Sequence, residues 1–284
     1  MPKKIGRFEI LGELGRGPMT VDYRANDPAT GRTVVLTVPS EESAESPILL
    51  QRFYREARAA GSLQHPNIVA IYDLGVDRGN PFITRELLEG CDLGELAGRE
   101  KEKEAQTPQA SAKLLDYLLQ ACRALSYAHQ RGVIHRDVRP QSIFVMNNGT
   151  AKLTNFVHAR LPEAFTPVSA GIPTGTFDYM SPEQVRGGRV DAGGDIWAVG
   201  CTLYELLTYK KPFQTENVTA FMIAVMSQEP TPIHELRPDL PTELDDVLRR
   251  ALKKDRTERY KSIDALVKDL EPLVRQMQAA GPAA

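Results

Sequence analysis

Short runs of β-branched and aromatic residues fill the first 90 residues of the chain, and Gly, Pro, Asn and Asp separate them. The runs are RFEILGELG, VDYRAND, RTVVLTV, NIVAIYDLGV and PFITREL. Runs of this length and composition, bounded by turn residues, are typical of β-strands. The pattern therefore predicts a small unit with five strands.

One helix interrupts these strands, from about Ser46 to Leu63. Within ILLQRFYREARAAGSL, the apolar residues Leu49, Phe53 and Ala57 recur at the spacing of one helix face. The spacing, which Ala60 continues, therefore predicts a helix with one apolar face.

From Asp92 onward the pattern becomes mostly helical, which predicts a second unit with its own core. AKLLDYLLQACRALSYAHQ carries a broad apolar face, and DIWAVGCTLYELLT is apolar nearly all round, as expected of a buried central helix. IFVMNNGTAKLT predicts a hairpin that turns at residues 147–149. The charged stretch GREKEKEAQTP is interpreted as a solvated loop or helix end.

Charge and cysteine content narrow the function classes. Thirty-five basic and 37 acidic residues give a formal charge of −2, so no overall field favours nucleic acid or an anionic membrane as a partner. Cys91, Cys122 and Cys201 are far apart and lack metal-ligand spacing, which indicates reduced thiols. Without an apolar run of 18 residues, no membrane span is expected. The predicted location is the cytoplasm, alone or as the cytoplasmic domain of a larger membrane-anchored protein.

Several segments in a fixed order carry a family resemblance: HPNIV, YAHQRGVIHRDVRP and GTFDYMSPEQVRGG. Over roughly residues 7–275 the chain resembles the bacterial, eukaryotic-like Ser/Thr protein kinases. The resemblance implies an α+β bilobal fold. Its N-lobe would have an antiparallel five-stranded sheet plus one helix, over residues 1–86. A hinge would follow over residues 87–91, then a mainly helical C-lobe over residues 92–279.

The family transfers phosphoryl groups with a glycine loop, a strand lysine paired with a helix glutamate, and two Mg²⁺ ions. The loop GRGPMTVD keeps Gly15 and Gly17, but Thr20 stands at the third glycine and Asp22 at the valine that covers the base. Pro18 also restricts the loop backbone. A carboxylate at Asp22 is expected to repel a triphosphate.

The strand TVVLTV places Thr37 at the family's lysine and Val35 at a small alanine. Glu56 matches the lysine's usual helix partner, and a lone buried carboxylate would be costly. Arg85 falls at the back of the nucleotide site, so the hypothesis is that it points inward and pairs with Glu56 or Asp22. The alternative is an arginine that extends to solvent from its strand.

The catalytic loop HRDVRPQSI keeps His135, Arg136 and Asp137, and Arg139 takes the place of the lysine that faces the γ-phosphate. Asp137 stands at the family's base position. With the other losses around it, Asp137 is predicted to serve hydrogen bonds within its loop rather than catalysis.

Both metal ligands of the family are replaced. Ser142 stands at the metal-binding Asn and Asn155 at the Asp of the Asp-Phe-Gly triplet, where the chain reads Asn155, Phe156, Val157. A neutral amide is a poorer Mg²⁺ ligand than a carboxylate. Phe144 takes a floor position beneath the base. Metal ligands are thus predicted to be absent, and Mg-ATP binding to be absent or weak.

Other matches concern architecture. Phe156 and His135, with Ala60 and Ile71, match a stacked spine, and Asp195 matches the anchor of the catalytic loop. Glu183 and Arg259 match a buried ion pair. The activation segment offers four hydroxyls that another kinase could modify: Thr166, Ser169, Thr174 and Thr176.

The sequence thus predicts a catalytically inactive pseudokinase, not an enzyme, that acts as a scaffold or allosteric signalling partner. Its partner would be a protein such as an active kinase or its substrate. Besides the activation segment, the expected contact surface is FQTENVTAFMIAVMSQ, with Phe213, Phe221 and Met222 exposed; the alternative is ordinary core packing of these three residues. Two alternatives stay open: an atypical Ser/Thr protein kinase with relocated machinery, in which Arg85 or Arg16 replaces the lysine, and a metal-independent nucleotide-sensing module.

Overall fold

The computed structural model describes residues 2–17, 19–103, 106–156 and 177–280, apart from the side chains of Arg52 and Glu56. These residues form two compact units. The first extends to Glu89 and includes Phe156, and the second begins at Gly90. The bilobal α+β fold expected from the sequence is confirmed, while the exact limits predicted for the hinge stay a prediction.

A curled antiparallel sheet forms most of the first unit. Its strands lie in the order β1-β2-β3-β4-β6-β5. Their bounds are β1 (Lys4–Ile5), β2 (Phe8–Arg16), β3 (Thr20–Asp27), β4 (Arg32–Pro39), β5 (Ile71–Asp77) and β6 (Asn80–Glu86). The predicted count of five strands was one too low. The additional strand, β1, has only two residues, which is too short for a recognisable alternation.

Two helices follow β4: α1 (Glu41–Ala44) and α2 (Pro47–Gly61). The Ser46 hydroxyl accepts a hydrogen bond from the backbone N–H of Leu49 at 3.4 Å, and Pro47 suits the first turn, so the sequence fixes where α2 begins. The predicted helix matches α2 within two residues at each end. The single turn of α1 is too short to show a helical period.

The two faces of the sheet carry different residues. One face buries an apolar cluster: Ile5, Phe8, Val21, Tyr23, Ala25, Val34, Leu36 and Phe82. On the other face, Ile83 of β6 packs under Phe53 and Ala57 of α2. Thr37 pairs with Ile83 and with Asp22 across the sheet, so these polar residues lie on the α2 side.

Thr84 places an unbonded hydroxyl inside the first unit. The residue is 1% exposed, and its Oγ1 has no hydrogen-bond partner among the described residues. Burying a hydroxyl without a partner costs about 1–3 kcal/mol. We therefore expect Thr84→Val to raise the unfolding free energy by about 1 kcal/mol, measured by urea denaturation.

The matched control is Thr37→Val, the same substitution at a buried threonine whose hydroxyl donates a hydrogen bond to Asp22. There we expect destabilisation of about 1 kcal/mol, because the carboxylate loses a donor. Equal effects of the two substitutions would contradict this account of Thr84.

The second unit is mainly helical. Its helices are α3 (Leu93–Lys101), α4 (Pro108–His129), α5 (Pro182–Val185), α6 (Ala192–Thr208), α7 (Val218–Ser227), α8 (Ile233–Leu236), α9 (Glu243–Ala251) and α10 (Ile263–Ala279). A small antiparallel sheet of β7 (Gly90–Asp92), β8 (Ile143–Met146) and β9 (Ala151–Leu153) lies beside them. The predicted hairpin is β8–β9, and Gly149 in its turn has φ +83°. No helix in the described part of the chain has both the length and the apolar character to cross a bilayer.

Helix α6 is the central buried helix that its sequence predicts. Trp197 in α6 is fully buried, and the ring of Phe213 stacks on it at a centroid distance of 5.8 Å. Phe221 of α7 is only 4% exposed and Met222 is partly buried. The predicted contact surface is therefore wrong for both phenylalanines, because they pack into the core of the second unit.

The cysteines are all reduced. Cys122 and Cys201 are fully buried in α4 and α6, and burial raises the pKa of Cys122 to about 12. At neutral pH the Cys122 thiol therefore stays protonated and unreactive.

Candidate active site

In the first unit, one carboxylate connects three strands. The Thr37 hydroxyl donates a 2.5 Å hydrogen bond to Asp22 Oδ1, and Arg85 Nη2 donates a 2.7 Å bond to Asp22 Oδ2. Asp22 and Arg85 side chains are about one quarter exposed, whereas Thr37 is buried. Each carboxylate oxygen thus has a side-chain donor, and the charge of Asp22 is paired.

The strand register explains this geometry. Asp22 lies directly opposite Thr37 across β3 and β4, while Arg85 lies opposite Val35 across β4 and β6. All four side chains therefore share one face, and the long Arg85 side chain spans β4 to reach β3. The hypothesis that Arg85 pairs with Asp22 is confirmed.

The rest of the glycine segment is described in part. Gly15 pairs with Asp22 in the sheet, and the Gly17 N–H donates to the Thr20 carbonyl at 2.9 Å, which closes a turn. Thr20 itself is buried. Pro18 lies outside the described residues, as does the side chain of Glu56, so the predicted role of Glu56 stays a prediction.

In the second unit, Asp195 anchors the catalytic loop. Its Oδ2 accepts hydrogen bonds from His129 Nε2 at 2.7 Å and from the His135 N–H at 2.9 Å, and its Oδ1 accepts from the Arg136 N–H at 2.7 Å. Asp195 is fully buried. Burial opposes its charge, but the hydrogen bond from His129 and the other donors lower its pKa below the usual value. The contribution of His129 was not predicted, although this histidine ends α4 just before the loop.

The His135 ring fixes the next part of the loop. Its Nε2 lies 2.7 Å from the Thr154 carbonyl, which can only accept, so Nε2 carries the proton. Its Nδ1 then accepts from the Asp137 N–H at 3.3 Å. The ring is fully buried and ties the backbone of Asp137 to the segment before Asn155.

The Asp137 carboxylate stands beside a cation and remains partly accessible. Arg139 Nε lies 3.5 Å from Asp137 Oδ2, and the two side chains are 27% and 21% exposed. Arg139 Nε makes no hydrogen bond among the described residues, so the contact is electrostatic. Asp137 therefore keeps an acceptor that an incoming hydroxyl group could reach.

Ser142 engages its hydroxyl within its own turn. It is fully buried, and its hydroxyl donates to the Arg139 carbonyl at 2.8 Å and accepts from the Arg139 N–H at 3.0 Å. The hydroxyl thus closes the short turn over Pro140–Ser142.

Asn155 has φ +67°, a left-handed conformation that Asn adopts more readily than most residues. Its side chain is a partly exposed, neutral amide. In the described part of the chain, no three His, Cys, Asp or Glu side chains are grouped so that they could hold a metal ion. A neutral amide is a weaker ligand for Mg²⁺ than a carboxylate, so the weak metal binding expected from the sequence stays a prediction.

Arg259 and Glu183 form the ion pair expected from the sequence. Arg259 Nη1 and Nη2 donate to Glu183 Oε1 and Oε2 at 2.8 and 2.9 Å, and the Arg259 side chain is fully buried. Arg259 also donates to the carbonyls of Gly193 and Lys253. Burial opposes the charge of Glu183, but Arg259 lowers the carboxyl pKa below its usual value.

The remaining predicted positions are placed as follows. Ala60, His135 and Phe156 are buried, Ile71 is partly buried, and they are distributed over both units, so their stacking stays a prediction. Phe144 lies on β8 opposite Asp92 and Lys152. Val157 and the four activation-segment hydroxyls, Thr166, Ser169, Thr174 and Thr176, lie outside the described residues.

Comparison with known proteins gives consistent matches. Residues 8–270 match the family model described as a protein kinase domain. A probable serine/threonine-protein kinase of Streptomyces coelicolor is 36% identical over 279 residues, covering 95% of this chain and 40% of that protein. Serine/threonine-protein kinase Pkn1 of Myxococcus xanthus is 37% identical over 267 residues, covering 92% and 37%. The crystal structure of the Mycobacterium tuberculosis PknI kinase domain matches with a TM-score of 0.74 and 25% identity, covering 95% and 97% of the two chains.

These comparisons confirm the resemblance and correct one prediction. The expectation that the chain is not an enzyme is wrong, because relatives at 36–37% identity over most of this chain are named serine/threonine-protein kinases. Departures from the family pattern at the metal and lysine positions therefore do not by themselves identify a non-enzyme. The chain spans about two fifths of the length of these curated relatives.

Proposed function

The chain belongs to the protein kinase family, and from this premise we propose that it is an atypical Ser/Thr protein kinase with weak Mg-ATP binding and slow phosphoryl transfer. The observation that carries the proposal is the assembled catalytic loop. Asp195 holds the backbone of His135 and Arg136, and His135 holds that of Asp137. The position of the base is therefore built as a phosphotransferase needs it.

Asp137 is the residue that would accept the proton of a substrate serine or threonine hydroxyl. The neighbouring Arg139 guanidinium supplies positive charge at the same place. By contrast, the Ser142 hydroxyl forms its hydrogen bonds within its own turn and Asn155 is neutral. A divalent metal ion would therefore find only weak ligands at these two positions. The proposal therefore assigns proton transfer to Asp137 and a reduced role to metal.

The experiment is phosphate transfer from radiolabelled ATP to a Ser/Thr peptide library by the purified chain. We expect slow transfer that Asp137→Asn lowers about 10²-fold, because a positioned base typically contributes 10²–10⁴-fold. Asp246→Asn, at a carboxylate 70% exposed on α9, is the matched control and should leave the rate unchanged. Transfer that is absent, or insensitive to Asp137→Asn, would overturn the proposal.

We also propose a signalling role through a protein partner in the cytoplasm. The support is the family match together with the described architecture, in which the second unit keeps the buried Arg259–Glu183 pair and the Asp195 anchor. A crosslinking pull-down with the wild-type chain, and with an unrelated folded protein of similar size and charge as the control, tests this role. The expected result is a partner, identified by mass spectrometry, that the wild-type chain retains and the control does not; equal recovery by both would contradict the role.

A further inference from the structure

Arg85 brings a positive charge to the place where the family pattern has a lysine. That place is Thr37, whose hydroxyl is bound to one oxygen of Asp22 while the Arg85 guanidinium is bound to the other. The guanidinium and the Thr37 hydroxyl are thus separated by a single carboxylate group. The strand lysine is missing, but a cation from the neighbouring strand β6 reaches the same face of the sheet.

The guanidinium has spare donor capacity. Arginine carries five N–H donors, and within the described residues one of them is bonded, to Asp22. The side chain is 24% exposed, so part of it is accessible. Planar guanidinium donors match phosphate oxygens in geometry and charge.

Asp22 holds this cation and cancels its charge. We infer that Arg85 is a phosphate-binding residue whose guanidinium is paired with Asp22 when no ligand is bound. Without a divalent metal, a phosphate-bearing ligand then binds only by displacing the Asp22 carboxylate from the guanidinium. The inference rests on the proposed function in taking the phosphates of a nucleotide as the ligand. Free polyphosphate presents the same phosphate oxygens, and the experiment below distinguishes it from a nucleotide.

Thr37, Asp22 and Arg85 form one connected arrangement. A threonine at position 37 leaves room for the guanidinium and donates to Asp22, and the carboxylate at position 22 orients Arg85 from across β4. Two like charges close together at a partly buried site repel strongly. The Asp22 carboxylate therefore opposes phosphate binding until the Arg85 guanidinium moves from Asp22 to the ligand. Affinity for phosphate is therefore set by competition between Asp22 and the ligand for Arg85.

The test is isothermal titration calorimetry of ATP into the chain in the presence of EDTA. Asp22→Asn keeps an oxygen that can accept from Thr37 but removes the competing charge, so ATP affinity should rise roughly tenfold or more. Asp22→Asn/Arg85→Gln should lose that gain. An unchanged affinity for Asp22→Asn, or a double variant that keeps the gain, would overturn the inference.

Two further arms complete the experiment. Asp27→Asn is the matched control, since Asp27 lies on the same strand and pairs with Arg7 at 3.0 Å, and it should leave the affinity unchanged. Tripolyphosphate is titrated in parallel with ATP. If Asp22→Asn raises the affinity for both ligands equally, the site recognises phosphate alone; if it raises the affinity for ATP only, the site recognises the nucleotide.

Circular dichroism melts confirm that each variant is folded. Should Asp22→Asn not fold, Arg85→Gln in the otherwise wild-type chain must lower ATP affinity, and no change would overturn the inference.

These results are independent of phosphate transfer. The titration is made without metal and reads binding alone, whereas the proposed kinase activity is read from labelled peptide and from Asp137→Asn. Loss of transfer with a retained gain for Asp22→Asn would refute the activity and leave the phosphate site in place.

Discussion

Replacing Arg259 with alanine is expected to lower the unfolding free energy by about 3–5 kcal/mol, the largest stability effect we predict. The substitution leaves the Glu183 carboxylate, whose side chain is only 12% exposed, without its bidentate partner. It also removes the donor to the carbonyls of Gly193 and Lys253, and one of the two cations that lie over the Trp197 ring, the other being Lys254. The cost comes mainly from an uncompensated buried charge.

Urea denaturation measures this difference, and Arg256→Ala is the matched control. Arg256 forms an ion pair with Asp191 at 3.1 Å, but both side chains are about half exposed, so its loss should cost less than about 1 kcal/mol. Similar costs for the two arginines would show that burial does not decide the value of the pair.

The Arg259 effect should also depend on pH. Burial disfavours the charged form of Glu183, yet Arg259 lowers its pKa below the ordinary value of 4.5. A lowered folded-state pKa stabilises the fold above the unfolded-state value and loses that contribution as the pH falls through the folded-state value. The difference between wild type and Arg259→Ala should therefore be full at pH 7 and shrink below pH 4.5. A constant difference between pH 7 and pH 3 would contradict the assignment to Glu183.

Asp195→Ala is the second large effect, with an expected loss of about 3 kcal/mol or more. Three donors then lack their acceptor: His129 Nε2 and the N–H groups of His135 and Arg136. Because these donors fix the loop that carries Asp137, phosphate transfer should fall to the level of Asp137→Asn. Chemical denaturation measures the first effect and the labelled-peptide assay the second.

Asp195→Asn separates the charge of Asp195 from its hydrogen bonding. The amide keeps one acceptor oxygen but adds a donor that faces other donors, so it should recover only part of the stability lost in Asp195→Ala. Full recovery of stability by Asp195→Asn would mean that the negative charge of Asp195, which its lowered pKa maintains, does not stabilise the loop.

Periodicity predicted the fold well where elements are long. Apolar spacing located α2 and the buried α6, and the turn at Gly149 located the β8–β9 hairpin. Elements of two to four residues, β1 and α1, were missed because such lengths hold no full period. Phe221 was placed on the surface because the short apolar helix α7 gives no indication of which face meets the core, and Phe213 because it lies in the connection between α6 and α7, which has no period to read.

The sequence predicted which residues lie in the site better than it predicted the contacts between them. Motif order located Thr37, Ser142 and Asn155, and the charge of Asp22 suggested its pairing with Arg85. The sequence alone could not show that Ser142 turns its hydroxyl onto Arg139, or that Thr37 binds Asp22, because both contacts depend on side-chain rotamers and strand register. Motif departures alone also led to the incorrect expectation of a non-enzyme.

The central claim is that this chain keeps the catalytic base of a kinase site, whereas the positions that hold metal in the family contribute little to ATP binding. Calorimetric titration of ATP into the wild-type chain, in EDTA and in a molar excess of Mg²⁺ over ATP, tests it most directly. The account predicts weak binding in both conditions, with affinities that differ by less than about tenfold, or 1.4 kcal/mol. Mg²⁺ that tightens ATP binding about a hundredfold or more would contradict it, because such coupling requires the ligands that Ser142 and Asn155 lack.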